Sequence, residues 1–236
     1  MLFAFDDRSS DSPFIERVWR CHSLHAGSFR SIASPHWEMV ITRHHGCSMF
    51  TLRGPETRPT FAEVPAEGAW FGIRFRLGTF MPGLPVARLI DRQDVNLPVV
   101  SGHSFWLNGA EWEYPDFDTA ETFVARLVKR GFIARDPAIE AVLAGDDQAL
   151  SVRSVQRHFL HATGMTHGTY RQIARARHAT QLLKAGASIL DTVHEAGFFD
   201  QSHLARSLKR LIGQTPGGVM REEEQLSFLY KTASGA

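Results

Sequence analysis

Cysteine is nearly absent from this chain: Cys21 and Cys47 are the only two in 236 residues, and they do not form a C-x-x-C pair. That argues against a disulfide framework or a zinc ribbon and leaves reduced, structural thiols as the reading. Long apolar runs are also missing. No stretch of about 18 apolar residues occurs, so no membrane-spanning helix is expected. Residues 1–10 are too acidic and too short for a secretory leader, which makes the cytoplasm the expected compartment. What is present is an ordinary globular composition, 43% hydrophobic and 22% charged, long enough for a proper core and for one large or two small domains.

The formal net charge of +1 conceals a division along the chain, and electrostatics acts patch by patch. Residues 151–221 hold ten Lys/Arg against three Asp/Glu, a net of +7, whereas residues 1–150 hold fifteen against nineteen, a net of −4. The tail from Glu222 adds three acids and Lys231. A basic final third on a mildly acidic carrier suggests a module that binds a polyanion.

Residues 37–42, 48–52 and 70–75 read as short β-prone runs, broken at His45-Gly46, Gly54-Pro55 and Glu67-Gly68. Such spacing predicts an antiparallel sheet folded into a small barrel or sandwich. Residues 81–115 are rich in Pro and Gly and resist assignment. Helical periodicity takes over in residues 118–130, where Phe123, Leu127 and Val128 share a face, and again in residues 137–143.

The basic third is helical throughout. Ser151 is a candidate N-cap for a helix with Val152, Val155 and Phe159 on one stripe, ended by Gly164. Thr166 opens a longer helix bearing Tyr170, Ile173, Ala176 and Leu183, closed by Gly186. Ser188 with Asp191 is a capping-box pattern, and Ile189, Val193 and Ala196 form the apolar face behind it. Gly197 breaks that helix, and Asp200 caps the next, which carries Leu204, Leu208 and Leu211 and stops at Gly213. Thr215-Pro216 opens a last short helix.

A short capped helix, a glycine turn and a second helix with polar residues opposite a leucine stripe have the layout of a helix-turn-helix, whose second helix enters the major groove. On that second helix Gln201, Ser202, His203, Arg206 and Lys209 point outward. Arg can pair with guanine, Gln with adenine, and Lys with phosphate. A solvated helix face is the bland alternative for any lone amphipathic helix. Here a second cluster stands beside it: Arg153, Gln156 and Arg157 project from the helix that begins at Val152. The intervening helix, over residues 166–184, would be roughly 27 Å long. On a rod of that length two recognition helices could enter successive major grooves about 34 Å apart.

Residues 150–159 (LSVRSVQRHF), Ala162-Thr163-Gly164, residues 195–204 (EAGFFDQSHL), Leu208-Lys209-Arg210 and residues 213–216 (GQTP) together resemble the AraC/XylS DNA-binding domain. The resemblance covers roughly residues 137–221. It implies DNA contacts from Arg153, Gln156 and Arg157 on the first recognition helix and from Gln201, Ser202, His203 and Arg206 on the second. This sequence departs from the family pattern twice: residues 145–150 are short for the full bracing helix, and Val219 stands where an aromatic is usual. The unit over residues 188–213 is therefore expected to be the more complete of the two.

Members of that family commonly carry a β-rich sensory or dimerisation domain ahead of the DNA-binding domain. The expected fold class is α+β: a β-rich, cupin-like barrel over residues 1–115, linker helices over 116–145, and an all-α domain over 146–236 with two helix-turn-helix units joined by a long helix. Trp37, Trp70 and Phe75 are candidates to line an effector pocket, against the plainer reading of core aromatics. His36, His44 and His45 invite a metal-site reading, but no carboxylate stands at matching spacing, and neighbours His44 and His45 would point to opposite faces of a strand. No metal or cofactor is expected. The expected partners are double-stranded DNA, a small-molecule effector, RNA polymerase and a second copy of the chain. The alternatives are a metal-dependent cupin-like enzyme with helical accessories, and a DNA-binding dimer without a ligand.

Overall fold

The computed structural model describes residues 2–92, 95–145 and 151–221. The short segment before Ser151 and the acidic tail from Glu222 therefore lie outside the described residues. The chain falls into two compact units that interleave along the sequence: Met1–Ala26, His36–Pro55 and Pro65–His167 make the first, and Gly27–Pro35, Glu56–Val64 and Gly168–Ala236 the second. The boundaries expected from sequence, by contrast, follow chain order. No described helix is long and apolar enough to cross a membrane.

The first unit is built on strands β1 (Phe3–Ser9), β2 (Ile15–Ser23), β4 (Glu38–His44), β5 (Cys47–Arg53), β7 (Ala69–Phe75) and β9 (Val95–Leu97), with β3 (Gly27–Ser31) and β6 (Thr60–Val64) falling in the other unit. Its six strands form one antiparallel sheet in the order β1-β2-β7-β4-β5-β9. The sheet ends on β1 and β9, which do not pair, so the expected barrel is not closed. One reason is that β3 and β6 pair with each other as a separate ribbon instead of extending the sheet.

One face of the sheet is apolar where Ile41, Phe50, Phe71, Ile73 and Phe75 project. Against it pack the hairpin strands β11 (Ser104–Leu107) and β12 (Ala110–Glu113) and helix α1 (Ala120–Lys129), through Phe105, Trp112, Phe123 and Leu127. Phe50 and Phe105 stack at 4.1 Å between ring centroids. Strand β10 (Val99–Ser101) edges that hairpin, and a two-residue pairing of β8 (Thr79–Phe80) with β13 (Ala134–Arg135) completes the β-structure. Residues 81–115 thus resist a sequence reading because their strands are only three or four residues long, too short for a period to register.

Trp37 and Phe75 stack face to face at 3.9 Å inside this core, 3% and 0% exposed, and the Trp37 indole donates to the Thr79 carbonyl at 2.6 Å. His44 ends β4, while His45 turns the chain with φ +48° ahead of Gly46. That turn brings the two rings to 3.9 Å instead of sending them to opposite faces. His36 Nδ1 lies 3.1 Å from the Phe75 carbonyl and 3.2 Å from the Glu16 carboxylate. Among the described residues no group of three or more His, Cys, Asp or Glu is placed to hold a metal ion.

Helix α1 is tied to β1 by a bidentate pair in which Arg8 donates to Glu121 at 2.6 and 2.8 Å, and Arg8 also donates to the Phe117 carbonyl at 2.7 Å. The hydrogen bond from Arg8 holds the Glu121 carboxyl down to about 2, against an ordinary value of 4.5. Because the folded value is depressed, the stabilisation is fully present above about 4.5 and is lost as pH falls toward 2. Glu121→Gln should therefore lower the melting temperature at neutral pH, and the gap between variant and wild type should close across that window. A gap independent of pH in thermal melts would contradict this assignment.

In the second unit the β3–β6 ribbon accompanies helices α4 (His167–Lys184, entering this unit at Gly168), α5 (Ile189–Glu195), α6 (Gln201–Leu211) and α7 (Pro216–Met220). Ala33 beside the ribbon donates its N–H to the Leu211 carbonyl at 2.9 Å, and Arg177 of α4 donates to the Ala33 carbonyl at 3.1 Å. A segment from the β-rich part of the sequence is thus built into the helical unit.

Candidate DNA interface

Each element over residues 188–220 has a local cause. The Ser188 hydroxyl accepts from the Asp191 N–H at 3.1 Å and donates to the Asp191 carboxylate at 2.6 Å, which starts α5. Gly197 turns the chain with φ +67°, a conformation open to glycine at no steric cost. Asp200 then accepts from the His203 N–H at 2.6 Å and starts α6, while Thr215 caps α7 with Pro216 in its first turn. Leu204, Leu208 and Leu211 are buried, which fixes the roll of α6 and leaves Gln201, Ser202, Arg206 and Lys209 exposed to solvent.

His203 is the exception among the expected contact residues. It is half-buried, with its ring edge-on to Phe198 at 5.2 Å. Its side chain lies on the flank of α6 that faces α4, where Gln172, Arg175, Arg206 and Arg210 also line a cleft. The sequence reading passed over Arg175 and Arg210. The signal for Arg210 was there, since residues 203, 206, 207 and 210 follow the i, i+3, i+4, i+7 spacing of one helical stripe. For Arg175 no local pattern points to the cleft.

Because Asp200 sets the start of α6, Asp200→Ala should cost about 1 kcal/mol of stability. Asp200→Asn should recover most of that in urea melts, since an amide oxygen can accept the same bond. An alanine variant as stable as wild type would remove the cap from the account.

The helix expected from sequence to be the first recognition helix is α3 (Val152–Thr163), preceded by α2 (Pro137–Leu143). Ser151 caps it by accepting from the Ser154 N–H at 3.2 Å, and Gly164 ends it with φ +72°. Val155 and Phe159 are buried, and Arg153, Gln156 and Arg157 are exposed together on the opposite side, as their spacing requires. Helix α3 belongs to the first compact unit. There its His158 Nδ1 lies 2.7 Å from Asp136, the residue that caps α2, and His161 meets Phe80 at 4.8 Å.

A second concavity lies in the sheet of the first unit. The register sets Asp6, Arg20, Phe71 and Ile41 in one row across the strands, and Ala4, His22, Ala69 and Arg43 in the next row on the same face. A cavity of about 560 Å³ covers these rows and is bordered by Asp116 and Phe117. The Arg20 guanidinium lies 4.4 Å from the Phe117 ring centroid and pairs with Asp6 at 2.7 Å. Trp70 borders the cavity, but the alternation of the strand puts its ring on the other face, 5.8 Å from Phe3.

A family model described as a helix-turn-helix domain, of the AraC type, matches residues 146–222. No curated protein and no solved structure matches the chain. The matched segment contains α3 through α7, with the exposed basic clusters on α3 and α6. The match over residues 146–222 supports an AraC/XylS-family regulator, a DNA-binding protein of transcription.

Proposed function

We propose that the chain is a sequence-specific regulator that reads DNA with both recognition helices and answers to a small molecule held by its β-rich part. The observation that carries this reading is the pair of helices on which leucines or aromatics are buried while arginines and glutamines stand exposed: Arg153, Gln156 and Arg157 on α3, and Gln201, Ser202, Arg206 and Lys209 on α6. Guanidinium and carboxamide groups are the side chains that pair in two-pronged fashion with guanine and adenine in the major groove. Between α3 and α6 in the sequence lies α4, whose 18 residues span roughly 27 Å.

The cavity over the sheet supports the effector half of the proposal. Its volume of about 560 Å³ falls in the range of small-molecule sites, roughly 300–1,000 Å³. Its apolar floor of Ile41 and Phe71, with Arg20, Arg43, Asp6 and Asp116 at the margin, suits a compact molecule with an apolar body and polar groups. Trp37 and Phe75 serve the core in this reading. A second copy of the chain and RNA polymerase remain the expected macromolecular partners.

The test is selection of bound fragments from genomic DNA, followed by affinity measurements on the selected site. Arg206→Ala should cost about 1–3 kcal/mol and relax the preference at one base position. Unchanged preference at every position would remove Arg206 from base reading. For the cavity, a ligand found by thermal shift should raise the melting temperature of wild type and lose that effect in Arg20→Ala.

A further inference from the structure

The cleft between α4 and α6 is lined by Gln172 and Arg175 from the first helix and by His203, Arg206, Ser207 and Arg210 from the second, about 300 Å³ with no carboxylate among its lining residues. Three guanidinium groups therefore converge on one small concavity. Two of them are held in place. Arg210 donates to the Gln172 side-chain oxygen at 2.6 Å, which fastens it across the cleft. Arg175 donates to the Gly197 carbonyl at 3.2 Å and lies over the Phe198 ring at 4.9 Å. Each retains further N–H groups, because a guanidinium has five and these contacts use one.

Like charges gathered without a counter-charge repel, and an anion placed among them relieves that repulsion. A guanidinium suits the phosphate group in particular, since its planar fork matches two oxygens at once. Arg206 sits where the outward face of α6 meets this flank, so the cleft opens beside the face that carries Gln201 and Ser202. A recognition helix in the major groove has a sugar-phosphate backbone running along its side.

We infer that the α4–α6 cleft is a seat for one backbone phosphodiester of the bound DNA, held by Arg175 and Arg210 with Arg206 at its rim. The inference rests on the DNA-binding reading and adds to it a position-fixing contact without sequence preference. It assigns Arg175 and Arg210 a different task from the base-reading side chains: they set how far along its axis α6 lies in the groove.

Arg210 is the residue to vary, because it is exposed and bonds to the Gln172 side chain, whereas Arg175 also closes the turn at Gly197. The full chain is titrated against the selected duplex and a scrambled duplex over a series of salt concentrations, as wild type, Arg210→Gln and Arg210→Lys. Loss of one phosphate contact should make the slope of log K against log salt shallower by about one for Arg210→Gln, equally on both duplexes. Arg210→Lys should restore the slope. Methylphosphonate placed at single positions should weaken wild type at one phosphate and leave Arg210→Gln unaffected there. An unchanged slope in Arg210→Gln, or a loss confined to the selected sequence, overturns the seat while leaving the DNA reading intact. Wild type that binds neither duplex overturns both.

Discussion

Gly164→Ala should destabilise the protein by about 2–5 kcal/mol, roughly twice the cost of the same change at Gly186. The two glycines share a conformation that L side chains rarely adopt, with φ +72° and +92°, and that alone costs roughly 1–2 kcal/mol for alanine. They differ in what surrounds them. A Cβ on Gly186 would meet nothing within 4 Å, whereas one on Gly164 would lie 2.6 Å from Ala87 Cα and 2.7 Å from Ile90 Cδ1. Backbone cannot yield as a flexible side chain can, so either α3 or the 3₁₀ turn at Val86–Arg88 must move, an overpacking cost of roughly 1–3 kcal/mol more. Urea denaturation of the two variants measures the difference, and equal costs would mean that α3 is not pressed on that turn. The same displacement should carry Arg153, Gln156 and Arg157 out of position and weaken binding to the selected DNA in Gly164→Ala more than in Gly186→Ala.

The second large effect concerns the sheet. Glu38 and Arg74 face each other across β4 and β7, joined at 2.7 Å and both nearly buried, at 7% and 9% side-chain exposure. Removing one partner leaves the other charge buried and uncompensated, so Glu38→Ala and Arg74→Ala should each cost about 3–5 kcal/mol. Replacing both by apolar residues of similar volume, as Glu38→Leu with Arg74→Met, should cost far less than the two single changes together, because no lone charge remains. A double variant whose loss equals the sum of the single losses would contradict this reading of the pair.

How much of this was legible in the sequence follows from the range of the interactions involved. Helices α5 and α6 are specified by contacts within a few residues: Ser188 with Asp191, Gly197 at the turn, Asp200 with His203, and leucines at helical spacing. Strands β4, β5 and β7 were legible as apolar, β-branched runs. Strands β1 and β2 were not, since they carry charges that a strand pattern does not expect. Those charges find partners only in the folded unit, Arg17 with Asp7 and Arg20 with Asp6 across the paired strands and Arg8 with Glu121 of α1. Seating of α3 against Ala87 and Phe80 joins residues more than seventy positions apart, and no local period encodes it. The same holds for residues 27–35 in the helical unit and for the stacking of Trp37 on Phe75. The α4–α6 cleft lies between: the stripe of His203, Arg206, Ser207 and Arg210 could be read from spacing, but that Arg175 meets it required the packing of α4.

Recognition of DNA by exposed side chains of α3 and α6 is the central proposal, and binding by a triple variant tests it most directly. Fragments selected from genomic DNA by wild type should bind Arg153→Ala/Arg157→Ala/Arg206→Ala far more weakly, with a shallower dependence on salt and an unchanged melting temperature. Equal affinity of wild type and the triple variant for every fragment would contradict the account.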